Sequence, residues 1–80
     1  MGYLMMVNEI DLYEAAKNKT LQVVKIPDIG LMESLGLRPG TLLTIKNKYG
    51  FGGPVLLRIG ETFTVAVGKD IAKQVVVKEV

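Results

Sequence analysis

Apolar and polar residues alternate along several short segments of the chain, and a period of two predicts β-strands. β-Branched and aromatic residues, which favour strands, are concentrated in the same segments. Glycine, proline or charged residues separate one segment from the next. The expected strands are Thr20 to Ile26, Thr41 to Lys46, Val55 to Ile59, residues 63–67 and Val75 to Val77.

Two other segments carry apolar residues at helical spacing. Asp11 is followed three residues later by Glu14, a capping-box pattern that predicts a short helix from Leu12 to Lys17, closed by Asn18 in a left-handed conformation. Asp28 as N-cap predicts a second short helix, which should end at a left-handed Gly36. A single helical turn is expected over residues 71–73.

The connections between the predicted strands have recognisable turn chemistry. Arg38-Pro39-Gly40-Thr41 has proline and glycine at the central positions of a type II turn. The segment Asn47 to Pro54 contains three glycines and a proline and predicts a loop, whereas Gly60-Glu61 predicts a hairpin turn. Short strands at this spacing, with two short helices, predict a small all-β barrel.

Length and composition limit what such a barrel can do. Eighty residues with 49% hydrophobic content predict one domain spanning residues 1–80, of which residues 1–9 are expected to form a loose N-terminal segment. The chain has no Cys and no His, so common zinc sites, thiol nucleophiles and Ser-His-Asp triads cannot form within it. We therefore expect a protein that is not an enzyme and carries no cofactor.

Charge and hydropathy limit the expected location and partners of the protein. The net charge of +2 is weaker than the clustered excess of dedicated nucleic-acid binders, so no nucleic acid is expected as the main partner. The N-terminal apolar run lacks the pattern of a secretion signal, and no run approaches the length of a membrane span. We expect a cytoplasmic protein without direct membrane insertion.

The loop around residue 50 contains the main candidates for a binding surface. Tyr49 and Phe51, with basic residues nearby, could contact a partner protein or stack on single-stranded nucleic acid. The run Gly50-Phe51-Gly52-Gly53 lacks the further residues of a phosphate-binding loop. The carboxylates are scattered, so we expect no metal site.

The run Leu35-Gly36-Leu37-Arg38-Pro39-Gly40, followed by apolar residues at alternate positions, resembles the ferrous iron transport protein A family, abbreviated FeoA. The similarity extends over about Ile10 to Val77. Further matching positions are Leu43, Ile45, Pro54, Val55, Val67, Ala72, Val75 and Val77.

The resemblance implies an SH3-like barrel that acts in the cytoplasm as an accessory or regulatory protein of ferrous iron transport. Its implied partner is the cytosolic, GTPase-containing part of the membrane ferrous iron transporter, protein B. A similar domain occurs in some metal-dependent transcriptional repressors. Two alternatives remain open: an SH3-like barrel that binds nucleic acid, and a metal-responsive domain with oxygen ligands only.

SH3-like barrels commonly bind partners between their long loops. The candidate partner-binding residues are therefore Tyr49, Phe51, Pro54 and Arg58. The motif residues are expected to build the fold rather than the site: Leu35, Gly36, Leu37, Pro39 and Gly40.

Overall fold

Six antiparallel strands form a single hydrogen-bonded sheet in the computed structural model, which describes residues 9–80. The strands are β1 (Ile10–Asp11), β2 (Thr20–Lys25), β3 (Leu42–Lys48), β4 (Val55–Ile59), β5 (Phe63–Val67) and β6 (Val76–Glu79). Two short helices, α1 (Gly30–Leu35) and α2 (Lys69–Ala72), lie in the connections. The strand order is β1-β6-β2-β3-β4-β5, which confirms the predicted all-β class with two short helices.

One face of the sheet carries the core because apolar residues alternate along the strands. In the register of β3, β4 and β5, Ile45 lies opposite Leu57, which lies opposite Val65. The outer face has the row Thr44, Arg58 and Thr64 instead. The buried apolar residues are Leu12, Ala15, Leu21, Val23, Met32, Leu37, Leu43, Ile45, Val55, Leu57, Val67, Ala72, Val75 and Val77. Within residues 9–80, no polar or charged residue is buried.

The predicted strands agree with the observed ones to within about two residues at either end, which is the usual uncertainty of an element boundary. The two-residue strand β1 was not predicted, since two residues are too few to show alternation. The expected helical turn over residues 71–73 begins two residues earlier, as α2.

The prediction of a helix from Leu12 to Lys17 is wrong. Asp11 does cap a turn: its Oδ1 accepts from the Glu14 N–H at 2.9 Å, and its carbonyl accepts from the Ala15 N–H at 3.1 Å. The turn does not continue into a helix. The Asn18 N–H, which a helix ending at Lys17 would direct to the Glu14 carbonyl, donates instead to the Ile45 carbonyl of β3 at 3.0 Å. The sheet thus draws the chain away from a helical path, and Asn18 closes the connection with the expected left-handed φ of 62°.

The two ends of α1 differ from each other in how well they were predicted. Asp28 is not the N-cap. Ile29 takes that position without a side-chain hydrogen bond, and its own N–H donates to the Pro27 carbonyl. At the other end Gly36 has the expected left-handed φ of 77°. The Gly36 and Leu37 N–H groups bond back to the last turn, which is the Schellman arrangement.

The motif at residues 35–40 connects α1 to β3 and fixes this connection against the sheet. Leu37 is buried in the core, and Gly40 has a φ of 97°, as the type II turn requires. The Gly40 N–H donates to the Val23 carbonyl at 2.8 Å, and the Val23 N–H donates to the Thr41 carbonyl at the same distance. These bonds attach the turn to β2, so the motif residues are part of the scaffold.

The expectation of a loose segment at residues 1–9 lies outside the described residues except at Glu9. Over residues 9–80, no helix is long and apolar enough to cross a membrane.

Candidate functional site

Residues 49–54, which we call the aromatic loop, connect β3 to β4 and contain three of the four candidate binding residues. The Tyr49 N–H donates to the Pro54 carbonyl at 3.1 Å and closes the base of the loop. At its tip the Gly53 N–H donates to the Gly50 carbonyl at 3.2 Å. The central residues of this turn, Phe51 and Gly52, have φ values of 59° and 77°, which identify a type I′ turn.

The glycines of the loop are required by geometry at two positions. Gly52 occupies the left-handed region, which residues with a side chain rarely adopt. A Cβ added to Gly53 would lie 2.9 Å from the Tyr49 Cβ and 3.1 Å from the Tyr49 carbonyl oxygen, so any side chain there would force the loop open. The aromatic loop is therefore a defined turn rather than a flexible glycine-rich segment.

The same geometry presents the two aromatic side chains to solvent. Phe51 is fully exposed and Tyr49 is 47% exposed, while Pro54 is exposed at the base. Phe51 also holds the left-handed conformation without being glycine, asparagine or aspartate, which costs about 1–2 kcal/mol. An exposed aromatic ring in a strained backbone position contributes nothing to the stability of the monomer, and such residues are concentrated at functional sites.

Lys69, which the sequence analysis did not select, lies beside the loop and contacts Tyr13. Gly52 faces Lys69 at the start of α2, since a Cβ on this glycine would lie 3.7 Å from the Lys69 Cδ. The Lys69 Nζ lies 5.4 Å from the centre of the Tyr13 ring, within the range of a cation–π contact. Tyr13, Lys69 and the loop are distant in sequence, so no local pattern could have joined them.

Arg58, the fourth candidate, lies apart from the aromatic loop. It follows Pro54 by four residues along β4, which separates them by about 13 Å at the usual rise of a strand. Its Nε and Nη2 donate to the Glu61 carbonyl in the hairpin between β4 and β5. The side chain lines an open depression of about 380 Å³ on the outer face, together with Leu42 and Thr44. The structure thus brings together Tyr49, Phe51 and Pro54, but not Arg58.

The carboxylates remain scattered in the fold. Across residues 9–80, no group of three or more His, Cys, Asp or Glu side chains is placed to hold a metal ion. The aromatic loop and Lys69 offer a ligand aromatic rings, backbone amides and an ammonium group, which is a set suited to a protein surface.

Comparison with known families identifies a match over nearly the whole described chain. The family model of the FeoA domain matches residues 10–79. No curated protein matches the chain significantly.

Solved structures of the same fold include two FeoA proteins. The crystal structure of an iron uptake regulatory protein, FeoA, is 27% identical in sequence, with a TM-score of 0.80 over 96% of this chain and 100% of that chain. A FeoA-like protein from Clostridium acetobutylicum is 24% identical, with a TM-score of 0.78 over 94% of this chain and 91% of that one. The SH3-like fold implied by the resemblance is confirmed.

A manganese-dependent transcriptional repressor also contains this fold. It is 20% identical, with a TM-score of 0.82 over 99% of this chain. The chain covers 46% of the repressor, so the similarity concerns one part of that protein and shows a shared fold alone.

Proposed function

The chain belongs to the FeoA domain family, and on that basis we propose that it is a small cytoplasmic accessory or regulatory protein of ferrous iron transport. It acts as a non-enzymatic protein-interaction module, and its partner is the cytosolic, GTPase-containing part of the membrane ferrous iron transporter, protein B. The proposal combines the iron-uptake regulatory role of a similar FeoA protein with the surface described above.

The observation that carries the proposal is the placement of Phe51. Burying a phenylalanine side chain is worth about 1.5–3 kcal/mol, yet this ring is fully exposed. Its backbone is strained as well, so the ring gives the isolated domain no burial energy while its backbone conformation lowers stability. A partner that covers the ring gains the burial energy without distorting the loop, because the hydrogen bonds of residues 49–54 fix the backbone that carries the ring beforehand.

The proposed contact surface consists of Phe51 at the centre, with Tyr49 and Pro54 beside it and Lys69 at its margin. Exposed aromatic residues are enriched at the energetic centres of protein interfaces, whereas marginal charges contribute less. Arg58 lies outside this surface, since its guanidinium group already bonds to the Glu61 carbonyl at the far end of β4.

The test is the affinity of the full chain for the purified cytosolic domain of the transporter, measured by titration calorimetry. We expect Tyr49→Ala/Phe51→Ala to lose about 2 kcal/mol or more of binding energy while remaining folded. Leu31→Ala is the matched control, because Leu31 is also about half exposed but lies in α1, and it should bind as the parent does.

Each of the other possible results of this experiment would contradict the proposal or change the binding surface. No binding by the parent chain would refute the proposed partner. Binding that is lost in Leu31→Ala but kept in the double variant would move the surface to α1. Binding of single-stranded RNA that disappears both in the double variant and at high salt would instead support the nucleic-acid alternative, because phosphate contacts weaken steeply with ionic strength.

A further inference from the structure

Lys69 is held beside the aromatic loop by a ring and a glycine. Its Nζ lies 5.4 Å from the centre of the Tyr13 ring, and a Cβ on Gly52 would lie 3.9 Å from the same atom. A ring face attracts an ammonium group but does not neutralise it. Asp70 follows Lys69 in α2, where consecutive side chains point about 100° apart. The ammonium group therefore keeps its positive charge at the margin of the contact surface.

The chain that contains the loop carries positive charge alone. From residue 34 to residue 60 the sequence has no Asp or Glu. Val55, directly after the loop, pairs with Lys48 on β3 and with Val67 on β5, and Lys69 is two residues beyond Val67. Basic residues thus approach the base of the loop from both neighbouring strands. The full set of basic residues in this stretch is Arg38, Lys46, Lys48 and Arg58.

We propose that the surface around Phe51 selects an acidic partner segment, which offers an apolar side chain to the ring and a carboxylate to Lys69. This inference rests on the protein-interaction role proposed above and adds the chemistry of the partner. Covering Phe51 also removes water from the adjacent ammonium group, and a buried charge is costly unless it is paired. A neutral partner leaves that cost in place and a basic partner adds repulsion, so an acidic partner is the one that suits both groups.

A protein carboxylate fits this surface better than a nucleic-acid phosphate does. Binding along a phosphate backbone draws on a clustered excess of basic residues, whereas the net charge of this chain is +2. A lysine at the margin of an apolar contact matches a single carboxylate. Charge pairs in that position set the association rate and the choice of partner more than the affinity.

The test is a titration of the full chain, followed by amide NMR shifts, with capped peptides in which leucine is flanked by two aspartates or by two lysines. The aspartate peptide should shift the signals of Gly52 and Lys69. Its dissociation constant should be on the order of 1 mM, as expected for a contact far below the standard interface size. The lysine peptide should bind about fivefold more weakly or less. Equal binding of the two peptides, or no shift of these signals by either, overturns the proposal.

Variants of Lys69 assign the preference to its charge. Lys69→Gln should remove the preference for the aspartate peptide, and Lys69→Glu should reverse it. Lys25→Glu is the matched control, because Lys25 is exposed at the end of β2 that lies beside the start of β3, away from the loop. At 0.15 M ionic strength, where charges are screened over about 8 Å, this control should keep the parent's preference. A preference that survives in Lys69→Glu, or that is lost equally in Lys25→Glu, contradicts the proposal.

The cytosolic domain of the transporter separates this inference from the proposed function. If the chain binds that domain, Lys69→Glu should slow association about threefold or more at low salt, and high salt should remove the difference. Preference for the aspartate peptide without binding of the domain would support the acidic partner and refute the transporter as that partner. Binding of the domain with equal association rates for the parent and Lys69→Glu at low salt would overturn the acidic partner and leave the proposed function in place.

Discussion

Replacing Phe51 by asparagine is expected to stabilise the domain, although it removes a large apolar side chain. The residue is the first central position of the type I′ turn and has a φ of 59°. Left-handed backbone costs an ordinary L-residue about 1–2 kcal/mol, whereas asparagine adopts it readily and is favoured at this turn position. The ring contributes no compensating burial, since it is fully exposed.

The expected gain is therefore the relief of backbone strain, about 1 kcal/mol in the free energy of unfolding. For a domain of this size, 1 kcal/mol corresponds to about 4–8 °C in Tm. The assay is thermal unfolding followed by circular dichroism, supported by chemical denaturation to check that the slope with denaturant is unchanged.

Phe51→Ala is the matched control, because it also removes the ring but keeps a Cβ in the left-handed region. Its stability should remain within about 0.5 kcal/mol of the parent, as expected for an exposed position. If asparagine is no more stable than alanine, residue 51 is not strained. If both variants are destabilised by well over 1 kcal/mol, the ring is packed in the folded protein and the reasoning is refuted. If Phe51→Asn is more stable but no longer binds the partner, the Phe51 ring serves binding rather than folding.

Two further predictions concern glycine positions and are measured by thermal unfolding. Gly40→Val should lower the free energy of unfolding by about 1–3 kcal/mol, because a β-branched residue at a φ of 97° is strained even in open space. A Tm within a degree or two of the parent would contradict the left-handed turn before β3. Gly53→Ala should also lower the free energy of unfolding, by about 1–3 kcal/mol, because its Cβ would meet the Tyr49 Cβ and carbonyl oxygen. Gly50→Ala is the control, because nothing lies within 4 Å of a Cβ there; equal Tm values of the two variants would show that the loop is not closely packed.

Some features of the candidate site could be predicted from local sequence patterns, and others follow only from the tertiary structure. That an aromatic, glycine-rich loop connects two strands could be predicted, because turn residues and alternation are local signals. The left-handed conformation of Phe51 could not, since phenylalanine disfavours it and the hydrogen bonds around the turn impose it. The approach of Lys69 to the loop and to Tyr13, and the separation of Arg58 from the loop, follow from how α2 and β4 are positioned.

The strands, the Schellman end of α1 and the type II turn at Gly40 follow from the sequence, because alternation, β-branching and left-handed glycines act over a few neighbouring residues. The helix expected after Asp11 failed for the opposite reason. Its local signals were correct, and Asp11 does cap a turn, but the Asn18 N–H donates to the Ile45 carbonyl of β3 instead of to the preceding turn. Tertiary structure alone decided that competition, because a hydrogen bond to a strand more than twenty residues later is invisible to any local pattern.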